Sequence, residues 1–429
     1  MDSKLVNMFD LIYCITNTGD LISNEITNHH KKAAYLAFRI AERFGLAKSQ
    51  QQEIFLAGLL HDVGAFSTSD RLELMEKETP DMHDHAFIGA LMLEGFQPLK
   101  DAANIIRFHH VPWNGGEGRA FSGRNVPVAS HILHLADRIV VLMDPHKDII
   151  GQIKRICDKT SAGSGTLFMP ELVGAFLDIS RQEYIWLDLT YDPIMTVMPS
   201  MMKFDTVELD LDEVIALSEV FAGIIDFRSP FTANHSSGVA AVAEKLAELA
   251  GFSKNERKMM LVAGYLHDLG KLAVNNEILE KPDKLDAEEF NAIRGHTFYT
   301  YRTLQVIQGF ETINVWASYH HEKLNGRGYP FHLSAESIPL GSRIMAVADV
   351  FTAITENRPY RKGMEKSQVE GVLKSMVDGE ALCPYIFSLL ADNLEMLNTV
   401  RENAQIKANA RYDKIKNIRV HSPDTYGLE

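Results

Sequence analysis

The sequence predicts an all-α protein made of two tandem helical domains. Apolar residues recur at spacings of three and four in one segment after another, and alternating strand patterns are scarce. A long-period repeat also carries the same polar residues, in the same order, through both halves of the chain. At 429 residues the chain exceeds one ordinary core, so the halves read as domains 1–200 and 201–429.

Taken in order, AAYLAFRIAERFGL (33–46) is the first strong helix, and Gly45 stands where a helix-ending glycine belongs. ALMLEGF (90–96) is the next. DKTSAGSG (158–165) is expected to be a flexible loop, and DLTYDPIMTVMPS (188–200) to join the halves. VIALSEVFAGIIDF (214–227) and VAAVAEKLAELAGF (239–252) resume the helical pattern, with Gly251 repeating the role of Gly45.

Composition removes several classes of function. A formal net charge of −14 and the lack of a long Lys/Arg run argue against binding duplex nucleic acid. A small anionic substrate remains compatible if metal ions supply the local positive field. No run of 18 apolar residues occurs, so membrane insertion is not expected, and the first twenty residues do not read as a signal peptide. The three cysteines are scattered and form no CxxC pair, which fits a reduced, cytoplasmic setting.

The repeat is specific. His29 and His61 are 32 residues apart, as are His235 and His267, and each second histidine is followed by an aspartate, Asp62 or Asp268. His85 precedes His109-His110 by 24 residues, and His296 precedes His320-His321 by the same interval. Asn-Gly follows in both copies, and VPVASHILHLADRI matches IPLGSRIMAVADVF, setting Asp137 opposite Asp349. MPELVGAF near Met169 pairs with CPYIFSLL near Cys383.

Imidazoles and carboxylates converging from separate helices are what a metal centre requires. In the second copy His235, His267, Asp268, His296, His320, His321 and Asp349 exceed the needs of one ion, and two divalent ions would use them all. Asp268 is the natural bridge. His235, His267 and Asp349 would hold one ion, and His296, His320 and His321 the other. Two adjacent ions can clamp a phosphodiester and activate water. Lys271 could set a positive charge against a phosphate oxygen. In HHEKLNGRGYP, Gly326 and Gly328 permit a sharp turn, Pro330 fixes its exit, and Tyr329 offers a flat face for a purine beside Arg327. Arg358 and Arg361 in RPYR could pair with phosphate oxygens.

The order H…HD…H…HH…D, with HDLGK, HHEKLNGRGYP, RPYR and AVADVFTAITENRPYR, resembles the HD-GYP family of the HD phosphohydrolase superfamily over about residues 205–400. The resemblance implies tandem HD-type all-α domains, a binuclear or trinuclear iron or manganese site, and hydrolysis of cyclic dinucleotides. Those are chiefly cyclic di-GMP, with 3′,3′-cGAMP the substrate of some members. Two residues depart from the family pattern. Phe231 stands where members with a third metal carry glutamate, so two ions are expected. Asn325 replaces a usual aspartate, which removes a negative charge beside the loop. A hydrolase of other nucleotides and a non-catalytic dinucleotide-binding protein are the alternative functions.

The first copy keeps His29, His61, Asp62, His85, His109, His110 and Asp137, a second candidate metal site. Its surroundings differ: Ala65 replaces the lysine of HDLGK, NGGEGR replaces NGRGYP, and no RPYR follows Asp137. This domain reads as a divergent regulatory or dimerising module, compatible with a homodimer, with a ligand sensor and a second hydrolase as the other readings. Its metal content is left open.

Overall fold

The computed structural model describes residues 5–22, 28–65, 82–191, 207–227, 234–279, 281, 283–357 and 362–416. Strand β1 (Val6–Asn7) leads into α1 (Met8–Gly19), whose first turn is capped by the Asn7 side chain accepting from the Phe9 amide at 2.9 Å. There follow α2 (His29–Phe44), α3 (Lys48–Leu60), α4 (Met82–Leu93) and α5 (Lys100–Arg107). A small hairpin of β2 (Ala120–Phe121) and β3 (Arg124–Asn125) precedes α6 (Val128–Val141), α7 (Ile153–Ala162), α8 (Pro170–Ile179) and α9 (Glu183–Thr190).

The second series begins with β4 (Glu208–Leu209), α10 (Leu211–Phe227), α11 (His235–Leu249) and α12 (Lys254–Leu266). It continues through α13 (Ala287–Leu304), α14 (Glu311–Ser318), α15 (Leu340–Thr355), α16 (Lys366–Asp378), α17 (Pro384–Asp392) and α18 (Leu394–Lys416). The all-α expectation holds, and the paired segments adopt the same elements. Both α8 and α17 start on a proline, whose missing N–H costs nothing at a helix start.

The chain forms two compact units. The expected boundaries shift at the N-terminus: of the described residues, 5–22 belong with those of Val207–Lys414, whereas 28–65 and 82–191 fall in the other unit. Three contacts explain the shift. β1 pairs antiparallel with β4, Val6 opposite Leu209. The Cys14 thiol donates to the Thr303 carbonyl at 3.1 Å, and the Thr18 and Thr303 hydroxyls bond at 2.8 Å. Leu11, Ile12 and Ile15 of α1 are buried. DKTSAGSG is also corrected: Asp158–Ala162 complete α7, and the following turn is tied by backbone bonds such as Phe168 N–H to Gly163 C=O at 3.0 Å. Of DLTYDPIMTVMPS, Asp188–Thr190 end α9, and residues 192–200 lie outside the described residues.

Each unit has its own core. Tyr35, Leu36 and Ile40 of α2, Phe55 of α3, Phe176 of α8 and Trp186 of α9 are fully buried in the N-terminal unit. Phe221 of α10, Phe310 at the start of α14 and Phe351 of α15 play this part in the other unit. Glycine sets how closely the site-bearing helices approach. A Cβ at Gly264 would lie 2.4 Å from the Ala240 Cα, and one at Gly58 would lie 2.5 Å from the Ala34 Cα. A Cβ at Gly270 would meet the His296 carbonyl oxygen at 1.9 Å, and one at Gly64 the His85 carbonyl oxygen at 2.1 Å. The repeat therefore preserves close backbone contacts as well as polar residues.

Candidate metal centre and active site

Helix ends and helix starts deliver the second-copy side chains. His235 is the first residue of α11, His267 and Asp268 follow α12, and His296 lies within α13. His320 and His321 follow α14, and Asp349 lies within α15. Six of the seven are buried, and His321 is half-buried. The imidazole Nδ1 atoms of His267, His296 and His320 face the carbonyls of Gly264, Ile293 and Ala317 at 2.8, 2.6 and 2.6 Å. A carbonyl only accepts, so each Nδ1 carries the proton and each Nε2 presents a lone pair to the cluster.

The spacing fits metal ligation. Two atoms each 2.0–2.1 Å from one ion stand roughly 2.9–3.4 Å apart. His296 and His320 Nε2 are 3.3 Å apart, His235 Nε2 and Asp349 Oδ1 are 3.2 Å apart, and His267 Nε2 and Asp268 Oδ2 are 3.3 Å apart. Asp268 turns its other oxygen, Oδ1, to His296 Nε2 at 3.4 Å. One carboxylate thus faces two histidine sets with different oxygens, the arrangement a bridging ligand needs. Donor atoms group as His235, His267 and Asp268, and as His296, His320 and His321. His267 Nε2 is buried without a hydrogen-bond partner among the described residues, a cost that ligation would remove.

Electrostatics sort the ligands. Burial holds His296 down at about 3 and His320 well below the ordinary imidazole range, so both are neutral and free to coordinate. Burial also lowers His235, but Glu356 and Asp349 outweigh it and lift the group to about 10. Burial would raise Asp268, yet His267 and Lys271 hold it well below the usual carboxylate range. Lys271 Nζ donates to Asp268 Oδ2 at 2.5 Å.

The glycine loop sits beside this cluster. Tyr329 lies 5.0 Å from the His321 ring between centroids, and its amide donates to the His321 carbonyl at 3.3 Å. Gly326 has φ 73°, and a Cβ at Gly328 would lie 2.3 Å from the Lys323 nitrogen, so both glycines are sterically required. Buried Glu322 fastens the loop by accepting from the Phe331 and Leu333 amides at 2.7 and 3.0 Å. Pro330 follows Tyr329 through a cis peptide bond. Arg327 is exposed, and its guanidinium makes no ion pair among the described residues. Asn325 is a turn-former: Nδ2 donates to the Gly379 carbonyl at 2.8 Å, and Oδ1 accepts from the Arg327 amide at 3.0 Å. Phe231, Arg358 and Arg361 lie outside the described residues.

Two groups here escaped the sequence reading. Glu356 is buried, with both carboxylate oxygens 3.2 Å from His235 Nδ1. Gln405 of α18 donates to Glu356, and Arg401 one turn earlier donates to Gln405. The matching position of the first copy is also an acid, Asp144, but Asp144 pairs with Lys147 at 2.7 Å, and His29 Nδ1 has no hydrogen-bond partner among the described residues, so the role of Glu356 is not repeated. Arg294 places its guanidinium 5.0 Å from the centroid of the Tyr329 ring. Its position two residues before His296 was the available hint.

In the N-terminal unit His29, His61, Asp62, His85, His109, His110 and Asp137 are all buried and converge in the same way. His29 Nε2 is 3.0 Å from Asp137 Oδ1, and His85 and His110 Nε2 are 3.2 Å apart. The loop beside them differs. Asn114–Arg119 form a tight turn running into the β2–β3 hairpin, and Arg119 covers the Trp113 ring at 5.0 Å.

This is the fold and ligand pattern of HD-type metal-dependent hydrolases. An HD domain family model matches residues 219–380, and a second HD domain model matches residues 26–142. A 3′3′-cGAMP-specific phosphodiesterase 1 of Vibrio cholerae is 32% identical over 398 residues, covering 90% of this chain and 92% of the relative. A cyclic di-GMP phosphodiesterase response regulator of Xanthomonas campestris, RpfG, is 38% identical over 143 residues, covering 33% of this chain and 38% of the relative. The crystal structure of a cyclic GMP-AMP-specific phosphodiesterase of V. cholerae shares the fold, with a TM-score of 0.63 at 24% identity over 91% of this chain and 98% of that one. The chain belongs to the HD-GYP family of metal-dependent cyclic-dinucleotide phosphodiesterases. No helix among the described residues is long and apolar enough to cross a membrane.

Proposed function

We propose that this protein hydrolyses 3′,3′-cGAMP in preference to cyclic di-GMP, at a binuclear iron or manganese centre in the C-terminal unit. The substrate reading rests on coverage. The relative that matches across 90% of the chain, through both units, is named for 3′,3′-cGAMP, whereas the cyclic di-GMP enzyme of X. campestris matches 33%. The observation that carries the catalytic reading is Asp268, with its two oxygens turned to two separate histidine sets.

When bound, the ions supply Lewis-acid activation of the phosphodiester and of water. His235, His267 and Asp349 would hold one ion and His296, His320 and His321 the other, with Asp268 placed to serve both. Lys271 steadies the bridge from one side and brings a cation to the edge of the cluster. Tyr329, braced by Arg294 and by the Glu322-fastened loop, offers a purine a ring face beside His321. Arg327 is available to a phosphate at the loop tip, and Arg358 and Arg361 are assigned the same role from the sequence. Phe231 cannot ligate, which supports two ions over three. The setting is cytoplasmic.

Product analysis with iron- and manganese-loaded protein tests this. The expected result is linear dinucleotide, formed faster from 3′,3′-cGAMP than from cyclic di-GMP. Equal or reversed rates would sink the substrate assignment.

A further inference from the structure

Beside the ligands that recur, the metal cluster of the N-terminal unit has a further histidine whose counterpart in the other copy is not a ligand type. His30 stands where the C-terminal unit has Ser236. Ser236 is turned away from the metal cluster of its own unit, bonding Asp226 through its amide at 2.9 Å and its hydroxyl at 2.8 Å. His30 instead faces inward. It is buried, its ring centroid is 5.2 Å from that of His61, and its Nε2 is 3.7 Å from Asp62 Oδ2. His30, His61 and Asp62 form a compact donor group beside two others, His29, His61 and Asp137, and His85, His109 and His110.

We propose that the N-terminal unit holds its own resident, non-hydrolytic metal centre, with His30 as a ligand. The metal is a divalent first-row transition ion of the kind imidazole and carboxylate favour. This goes beyond the hydrolytic reading of the other unit and does not depend on it. Three observations meet here. The Nδ1 atoms of His61 and His109 donate to the Gly58 and Ile106 carbonyls at 2.8 and 2.7 Å, which leaves both Nε2 atoms as lone pairs. Those two Nε2 atoms are buried with no hydrogen-bond partner among the described residues, a costly state that a metal ion relieves. Donor separations match ligands of a shared ion: 3.3 Å for His61 Nε2 to Asp62 Oδ2, and 3.4 Å for His85 Nε2 to Asp62 Oδ1. Asp62 therefore faces two donor sets with different oxygens, as Asp268 does.

The features that would turn such a centre to hydrolysis are replaced. Ala65 stands in the place of Lys271, and no tyrosine follows the Asn114-Gly115 turn. Arg138 binds the outer oxygen of Asp137 through Nε and an NH2 group, at 2.9 and 2.7 Å. His30 adds an imidazole beside His61 and Asp62 where the hydrolytic unit has an outward-turned serine.

The test uses the full-length chain and metal content. In the double variant His267→Ala/His320→Ala, which disables the C-terminal ligands, tightly bound iron or manganese should remain. Adding His61→Ala and His109→Ala should remove it. His30→Ser, copying Ser236, should weaken the retained metal about tenfold or more in chelator competition, while cyclic-dinucleotide hydrolysis by the otherwise unaltered chain stays unchanged. Circular dichroism identifies any variant that fails to fold, and His30→Gln then takes its place. Absence of retained metal in the double variant would overturn the proposal. Unchanged metal affinity in the His30 variants would overturn the role of His30.

Discussion

At the scale of residues, the first histidine of the C-terminal centre is held by a carboxylate that the sequence reading did not single out. Glu356 fixes the His235 ring through Nδ1 and makes Nε2 the more basic donor. Glu356→Gln keeps an acceptor but removes the charge, so metal affinity should fall by about 10–100-fold, and excess metal should restore turnover. Retained affinity in a chelator titration would reduce Glu356 to a packing role. The buried imidazoles also set a pH optimum for stability of the metal-stripped protein. His296, depressed to about 3 in the fold from an ordinary 6.5, costs stability as pH falls below 6.5 toward 3. His235, raised from 6.5 to about 10, loses its contribution as pH rises through that range. Denaturation midpoints of stripped protein should therefore peak near the ordinary imidazole value and decline on both sides. A flat profile from acid to alkaline pH would contradict this assignment.

At the scale of elements, the helices were legible because apolar periodicity and terminal glycines are local signals. Gly45 and Gly251 end α2 and α11 in left-handed conformations, φ 89° and 84°, as their spacing implied. DKTSAGSG misled because its small polar residues read as a loop while the tertiary setting completes α7. The ligand list was legible because it recurs; Glu356, Arg294 and the inward turn of His30 were not, since each depends on a neighbour distant in sequence. Glycine pairs such as Gly270 against His296 are invisible to periodicity, yet they set the approach of α13 to the HD turn. Gly270→Ala places a methyl group inside van der Waals range of the His296 carbonyl. It should cost about 1–3 kcal/mol and loosen the metal, measured as a lower thermal midpoint together with weaker chelator resistance. A variant as stable and as metal-retentive as the parent would refute the close-packing argument.

At the scale of the whole molecule, the duplication is read most directly from the sequence, and its N-terminal boundary least so. Residues 5–22 sit before the first copy in sequence but complete the second in space, because β1 and α1 pack on β4 and Thr303. Deleting residues 1–22 should therefore destabilise the C-terminal unit by several kcal/mol, on the order of 1.5–3 for each large side chain such as Leu11 or Ile12 exposed. Calorimetry would register this as a lowered transition accompanied by loss of phosphodiesterase activity, and an unchanged transition would argue against the shifted boundary. The central claim is that Asp268, facing both histidine sets, makes the C-terminal unit a binuclear phosphodiesterase. The most direct measurement is turnover of 3′,3′-cGAMP by stripped protein titrated with manganese or iron, in the parent and in Asp268→Ala. The account predicts that activity rises with metal in the parent and stays absent in the variant at every loading. Turnover without metal, or full turnover by Asp268→Ala, would contradict it.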